Sequence, residues 1–258
     1  MKRIKIERIM KSNKIMILAY DQGFEHGPSD LNIKTVDPNH VLDIALEGRY
    51  TGIALHSGIA DKYYMSYFRD VPLIIKLNGK TSFDKKDPLS LQHTSVKHAL
   101  DLGAAAVGYT LYIGSEHEQQ MFVELGRICD QAHNAGIPVV CWIRLAGKLS
   151  KKDTNTMAYG ARIAMEIGAD VVNVSYNGDI EGMRWIVKCA GKTKVVVAGG
   201  EKKTQKEFLD MVQEVIEAGA TGVMVGRNIW QTENPFEATK ALKQVIFEDK
   251  KSETALKK

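Results

Sequence analysis

The sequence predicts a single closed (β/α)8 barrel (a TIM barrel), and three observations carry that prediction. The chain has 258 residues, the length over which an α/β barrel forms one domain. A helical stretch ending in a small residue plus glycine, then a short apolar run, recurs as "DLGAAAVGYT", "NAGIPVVCWI", "EIGADVVNVS", "CAGKTKVVVAGG" and "EAGATGVMVG". Those runs are too short for helices and too continuously apolar for half-exposed strands, which marks a parallel sheet buried on both faces. An open doubly wound sheet, the alternative, leads one to expect a GxGxxG loop after its first strand. Here that strand runs instead into "AYDQGFEHGPSD".

The elements follow in order. Strands are expected at residues 15–20, 51–55, 72–77, 105–110, 138–143, 170–175, 194–198 and 222–226, where β-branched and apolar residues cluster. Helical periodicity fills 38–48, 59–70, 115–136, 156–169, 181–191, 204–220 and 234–247. Gly103, Gly136, Gly168, Gly191 and Gly219 suit the left-handed position just past a helix end. No linker divides the chain. The barrel is expected to occupy residues 1–248, with a polar, charged tail over 249–258.

Composition narrows the function. The chain is 44% hydrophobic and 26% charged, with a net charge of +4. Its lysines are dispersed, so neither a dense basic face nor a nucleic-acid reading element is present; small anionic molecules are the expected partners. Cys129, Cys141 and Cys189 are odd in number and lack CxxC spacing, which suggests buried free thiols in a reducing compartment. Seven histidines form no tight ligand set, so neither a metal nor another cofactor is expected. "MKRIKIERIMKSNK" lacks a signal-peptide core and no run of 18 apolar residues exists, so a cytoplasmic protein with no membrane association is expected.

In a barrel the reactive residues lie where each strand stops. Strand one runs into Asp21, Glu25 and His26, a candidate general-base cluster; Asp21 could instead cap a turn and His26 satisfy backbone. Lys76 sits inside an apolar run, either as an interior cation or as a snorkelling surface residue. Trp142 and Arg144 share a face of strand five. If that face is interior, they supply an apolar wall and a fixed cation. Asn173 and Ser175 share a face of strand six, placing an amide where an apolar or reactive residue is expected. Gly199 and Gly200, then Gly226 and Arg227, end strands seven and eight. Their N–H groups and the guanidinium suit the phosphate site usual at that place in this fold.

"DQGFEHGP", "IIKLNGKTS", "AAVGYTLYIGS", "VVAGG" and "VGRNIWQ" together resemble the archaeal-type class I fructose-1,6-bisphosphate aldolase family, over most of the chain. The resemblance implies a homo-oligomeric barrel that binds phosphorylated sugars and cleaves them reversibly through an enzyme-bound Schiff base. It also implies two departures. The family's strand-six lysine, in a segment like "DIVKVKYTGD", aligns with Asn173 in "DVVNVSYNGD". Its strand-five tyrosine, in "WIYPRG", aligns with Arg144 in "WIRLAG". Asp21, His26 and Trp142 keep the pattern.

An amide nitrogen is delocalised and cannot form an imine, so the ordinary cleavage is expected to be lost. Three readings stand open. The chain could be a lyase scaffold that still binds phospho-sugars. It could be a repurposed or engineered enzyme using Asp21 or His26 as base for non-covalent proton abstraction or carbonyl chemistry. It could be an aldolase with its amine relocated to Lys76.

Overall fold

In a computed structural model, which describes residues 4–83, 86–146, 149 and 153–256, eight parallel strands close into a barrel in sequence order. They are β1 (Ile15–Ala19), β2 (Gly52–His56), β3 (Leu73–Lys76), β4 (Ala106–Ile113), β5 (Val139–Leu145), β6 (Val171–Val174), β7 (Lys194–Ala198) and β8 (Gly222–Val225). The principal helices are α1 (Gly23–His26), α2 (Pro38–Glu47), α3 (Ser57–Tyr63), α4 (Val96–Asp101), α5 (Glu118–Ala135), α6 (Thr154–Ile167), α7 (Ile180–Cys189), α8 (Gln205–Glu217), α9 (Arg227–Trp230), α10 (Pro235–Phe247) and α11 (Ser252–Ala255). All five predicted helix-end glycines have positive φ, and Gly136 is the left-handed cap of α5. None of the described helices is long and apolar enough to cross a membrane.

Alternation sorts each strand into two faces. Ile17, Ala54, Ile74, Ala106, Val140 and Val196 pack together inside the barrel. Their neighbours, including Leu18, Leu55, Ile75 and Val197, join the larger core between sheet and helices. Ile9, fully buried in a 3-10 turn (Ile6–Ile9), packs with Ile15, Ala105 and Ala106 at the end where the strands begin. The polar-looking N-terminal stretch therefore plugs the barrel floor. Its few apolar residues fall on one side of a turn, which strand or helix periodicity does not register.

β4 and β5 overrun their expected ends. They stay paired from Val107↔Val139 to Ile113↔Leu145 and raise a wall on one side of the mouth, with Tyr112 level with Arg144. Gly108 is the cavity into which Trp142 fits: a Cβ there would lie 2.2 Å from the indole. α9 follows β8 at once, and the Trp230 indole N–H donates to the Ala19 carbonyl at 3.1 Å, tying the last strand's exit to the first's. Beyond Glu248, α11 docks on α8: the Ser252 hydroxyl donates to Asp210 and its N–H donates to Gln213 Oε1 at 3.0 Å. All three cysteines are free; Cys129 and Cys141 are buried, and Cys189 is half-buried.

The barrel closes where β1 meets β8, from Ile15↔Gly222 to Leu18↔Val225. A Cβ on Gly222 would sit 1.7 Å from the Ile15 carbonyl oxygen, and backbone cannot yield there as a side chain can. Gly222→Ala is expected to cost about 3 kcal/mol or more, read as a lowered urea midpoint; an unchanged midpoint would show that the seam is looser than this.

Candidate active site

The C-terminal strand ends surround a cavity of about 480 Å³. Asp21, His26, Lys76, Trp142, Arg144, Asn173, Ser175, Gly199, Gly200, Gly226 and Arg227 all line it. Lys76 ends β3 on the face of Ile74, which is the interior face. The residue is 2% exposed. Its ammonium donates to Asp21 Oδ2 at 2.9 Å and lies 4.4 Å from the Trp142 ring centroid, a cation–π contact. Of the two readings of Lys76, it is the interior cation.

Burial alone would push the Asp21 carboxyl up. The charge and hydrogen bond of Lys76, helped by His56, outweigh that and hold it below its ordinary value. Asp21 is thus a carboxylate at neutral pH with one oxygen engaged. His56, the last residue of β2, approaches the Asp21 carbonyl through Nε2 at 3.1 Å. A carbonyl only accepts, so Nε2 carries the proton and Nδ1 faces no partner. The ring lies against Phe24 and His93, at centroid distances of 5.0 and 5.3 Å. Burial first, then the Lys76 charge, lowers the His56 pKa to about 4 despite Asp21.

Arg144 and Asn173 meet across β5 and β6. Arg144 Nη1 donates to the Ile143 carbonyl at 2.9 Å and to Asn173 Oδ1 at 3.3 Å. Asn173 is 1% exposed, and its Nδ2 has no partner. The guanidinium fixes the amide orientation, since a flip would set donor against donor.

The last two strands build the other pole. Gly226 lies so close to its surroundings that a Cβ would be 2.9 Å from both the Ala19 carbonyl and Gln22 Nε2. Arg227 donates to the Gly200 carbonyl at 3.3 Å and to Asp30 Oδ2 at 3.4 Å. Asp30 also lies 3.2 Å from His26 Nδ1, so His26 sits at the rim in a His26–Asp30–Arg227 chain. One expectation is corrected. The Gly199 N–H is not available to a phosphate; it donates to the Met224 carbonyl at 3.0 Å, because the turn still follows the β7–β8 ladder there. Gly200, at φ +71°, is the residue of that pair whose N–H lies beyond the ladder.

Sequence reasoning missed His56, Asp30 and Tyr112 as parts of the site. His56 ends an apolar strand as Lys76 does, so the strand-end rule could have found it. Asp30 carries no such signal; a loop brings it back to Arg227 across 197 positions. Among the described residues, no group of three His, Cys, Asp or Glu side chains is placed to hold a metal ion.

A parallel barrel with charged side chains gathered at its strand exits is the architecture of a barrel enzyme, and comparison narrows the class. The DeoC/LacD family aldolase model matches residues 15–232, and the chain belongs to that family. It is 44% identical over 246 residues to the class 1 fructose-bisphosphate aldolase of Thermoproteus tenax, covering 93% of this chain and 92% of that protein. It is 42% identical over 252 residues to the enzyme of the same name from Halobacterium salinarum, covering 96% of each. Among solved structures, a Schiff-base-forming fructose-1,6-bisphosphate aldolase superposes with a TM-score of 0.88 at 43% identity, covering 93% of this chain and 97% of that one. The fructose-bisphosphate aldolase of Slackia heliotrinireducens superposes at 0.90 with 32% identity, covering 97% and 86%.

Two measurements test this geometry. Lys76→Met strands the buried Asp21 carboxylate and is expected to cost about 3–5 kcal/mol of stability. Lys76→Met with Asp21→Asn should cost clearly less than the two single changes together, and additivity in denaturant unfolding would disprove the coupling. The second concerns pH. The unfolded chain takes a proton on His56 near 6.5 and the folded one only near 4, so the unfolded state binds more protons between those values. Stability should therefore fall as pH drops from 6.5 to 4, with about 3 kcal/mol from this ring at full extent. His56→Gln should flatten that slope in urea unfolding across the window.

Proposed function

We propose that this chain binds a phosphorylated sugar or triose phosphate in the barrel mouth and does not cleave fructose bisphosphate through the ordinary enzyme-bound imine. One observation carries the reading. Where the resemblance puts the imine-forming lysine, Asn173 faces the cavity, and the one lysine lining the cavity among the described residues, Lys76, donates to Asp21. Imine formation needs a free amine lone pair at the ketone. An amide has none to offer, and an ammonium held in an ion pair must first give up its proton. A solved archaeal relative, 43% identical, has its catalytic lysine covalently bound to the carbinolamine intermediate of its substrate, so that relative's chemistry runs through such an amine.

Binding does not depend on that amine. The Gly200 turn, Gly226 and Arg227 stand after strands seven and eight, where barrels of this kind take phosphate. Asn173 and Arg144 stand together on the neighbouring strands, so the departures adjoin this pole and do not interrupt it. The resemblance further suggests a homo-oligomer, and the free cysteines fit a reducing compartment such as the cytoplasm.

A second reading keeps catalysis without a covalent intermediate. It is favoured by the ionised Asp21 at the cavity wall and by the His26–Asp30 contact at the rim. Either His26 or Asp21 would remove a proton, and Arg144 with Asn173 would stabilise the oxyanion that forms. Asp21 is the weaker candidate, because Lys76 lowers its affinity for a proton. A third reading, Lys76 as a relocated amine, requires the ion pair to open.

Borohydride reduction in the presence of dihydroxyacetone phosphate, read by intact mass and peptide mapping, separates these. No adduct is expected, while a lysine-bearing archaeal relative traps in parallel, and Asn173→Lys should gain an adduct on its own peptide. An adduct mapped to Lys76 would establish the relocated amine and overturn the first reading. Inorganic phosphate should raise the melting temperature, and Arg227→Met should abolish that rise; no phosphate effect at all would remove the binding half of the proposal.

A further inference from the structure

Among the described residues, the Arg144–Asn173 pair holds donors with nothing to receive them. Both hydrogen bonds that the Arg144 guanidinium makes among the described residues leave from Nη1. No carboxylate among the described residues forms an ion pair with it, and Asp21, which lines the same cavity, is held by Lys76. Beside it, Asn173 Nδ2 is buried against the cavity without an acceptor. Glu25 and Glu201 also line the cavity but form no ion pair with Arg144. A half-buried guanidinium with no carboxylate in ion-pair contact among the described residues, next to a buried amide donor without an acceptor, is costly unless a ligand completes both.

We propose that Arg144 and Asn173 form a carboxylate-recognition pair, so that among the short phosphate esters the cavity can take, one with a carboxylate at its far end is preferred to one whose far end is uncharged. The carboxylate lies at β5 and β6, and the phosphate lies at the turns after β7 and β8. The phosphate half rests on the reading given under Proposed function; the carboxylate half does not.

The chemistry favours this occupant. A carboxylate brings one negative charge and two coplanar oxygens, one for the guanidinium fork and one for the amide N–H. A hydroxyl or ketone brings no charge to balance Arg144. A second phosphate brings three oxygens, more than these two groups serve. Placement agrees as well. Trp142 is level with Asn173 across β5 and β6, Arg144 follows on the same interior face, and β6, β7 and β8 are consecutive around the barrel. The two anionic ends of a short ligand are therefore offered adjoining stretches of one wall. Lys76 is excluded as the carboxylate's partner because Asp21 already occupies it.

Titration calorimetry of the whole chain in a phosphate-free buffer tests this with four probes. They are 3-phosphoglycerate; glycerol 3-phosphate, which has the same phosphate and a hydroxymethyl group in place of the carboxylate; and the unphosphorylated glycerate and glycerol. 3-Phosphoglycerate is expected to bind at least tenfold more tightly than glycerol 3-phosphate. Arg144→Met should erase that preference, Arg144→Lys should keep only part of it, and Asn173→Leu should reduce it; circular dichroism checks that each variant is folded. Equal affinity for the two phosphorylated probes in the unaltered chain overturns the carboxylate pair whether or not any variant folds, and leaves the phosphate reading standing. Preference retained in a folded Arg144→Met also overturns it. If phosphorylated probes bind no better than glycerate and glycerol, the phosphate reading fails, while Arg144-dependent binding of glycerate still supports the carboxylate pair. Binding of none of the four overturns both.

Discussion

The Lys76–Asp21 ion pair under the Trp142 ring is the interaction around which the site is arranged. The ammonium of a lysine that is 2% exposed is tolerable only with a carboxylate against it and a ring face over it. That requirement ties β3 to the exit of β1 and to β5, so three separated strands are held in one relation at the mouth. It also decides reactivity. Asp21 is kept ionised, Lys76 is kept occupied, and His56 is kept neutral beside them. A site whose obvious amine and obvious carboxylate satisfy each other leaves its remaining chemistry to the groups around them.

Those groups fall into two sets on one wall. After β7 and β8, close backbone approach at Gly226 and the Arg227 contacts to Gly200 and Asp30 form a tightly packed corner that carries one guanidinium. On β5 and β6, Arg144 and Asn173 hold unserved donors. The DeoC/LacD aldolase framework carries both, which illustrates how a barrel separates stability from chemistry. The interior layer of Ile17, Ile74, Val140 and Val196 sits below the cavity, so residues at the strand exits can change without disturbing it.

Legibility followed the periodicity of the backbone. Helix-end glycines and apolar runs gave all eight strands to within a residue or two, except the exits of β4 and β5. Strand pairing there is extended by a neighbour and not by local composition, since Tyr112 and Arg144 are ordinary loop residues until each has the other's strand beside it. The N-terminal plug and the docking of α11 were illegible for a related reason: Ile9 and Ser252 owe their burial to partners far away in the chain.

The sequence by itself determined the barrel and the family, because a repeated strand–helix pattern and a set of local motifs are properties of neighbouring residues. It also placed Lys76, Trp142, Arg144 and Asn173 at strand ends, but it left open which way they point, since one bulge reverses alternation. Only the tertiary structure turned those four side chains inward, paired Lys76 with Asp21 across 55 positions, spent the Gly199 N–H on Met224 and left Asn173 Nδ2 without an acceptor. Each of these is a contact between strands, and contacts between strands exist only once the barrel has closed.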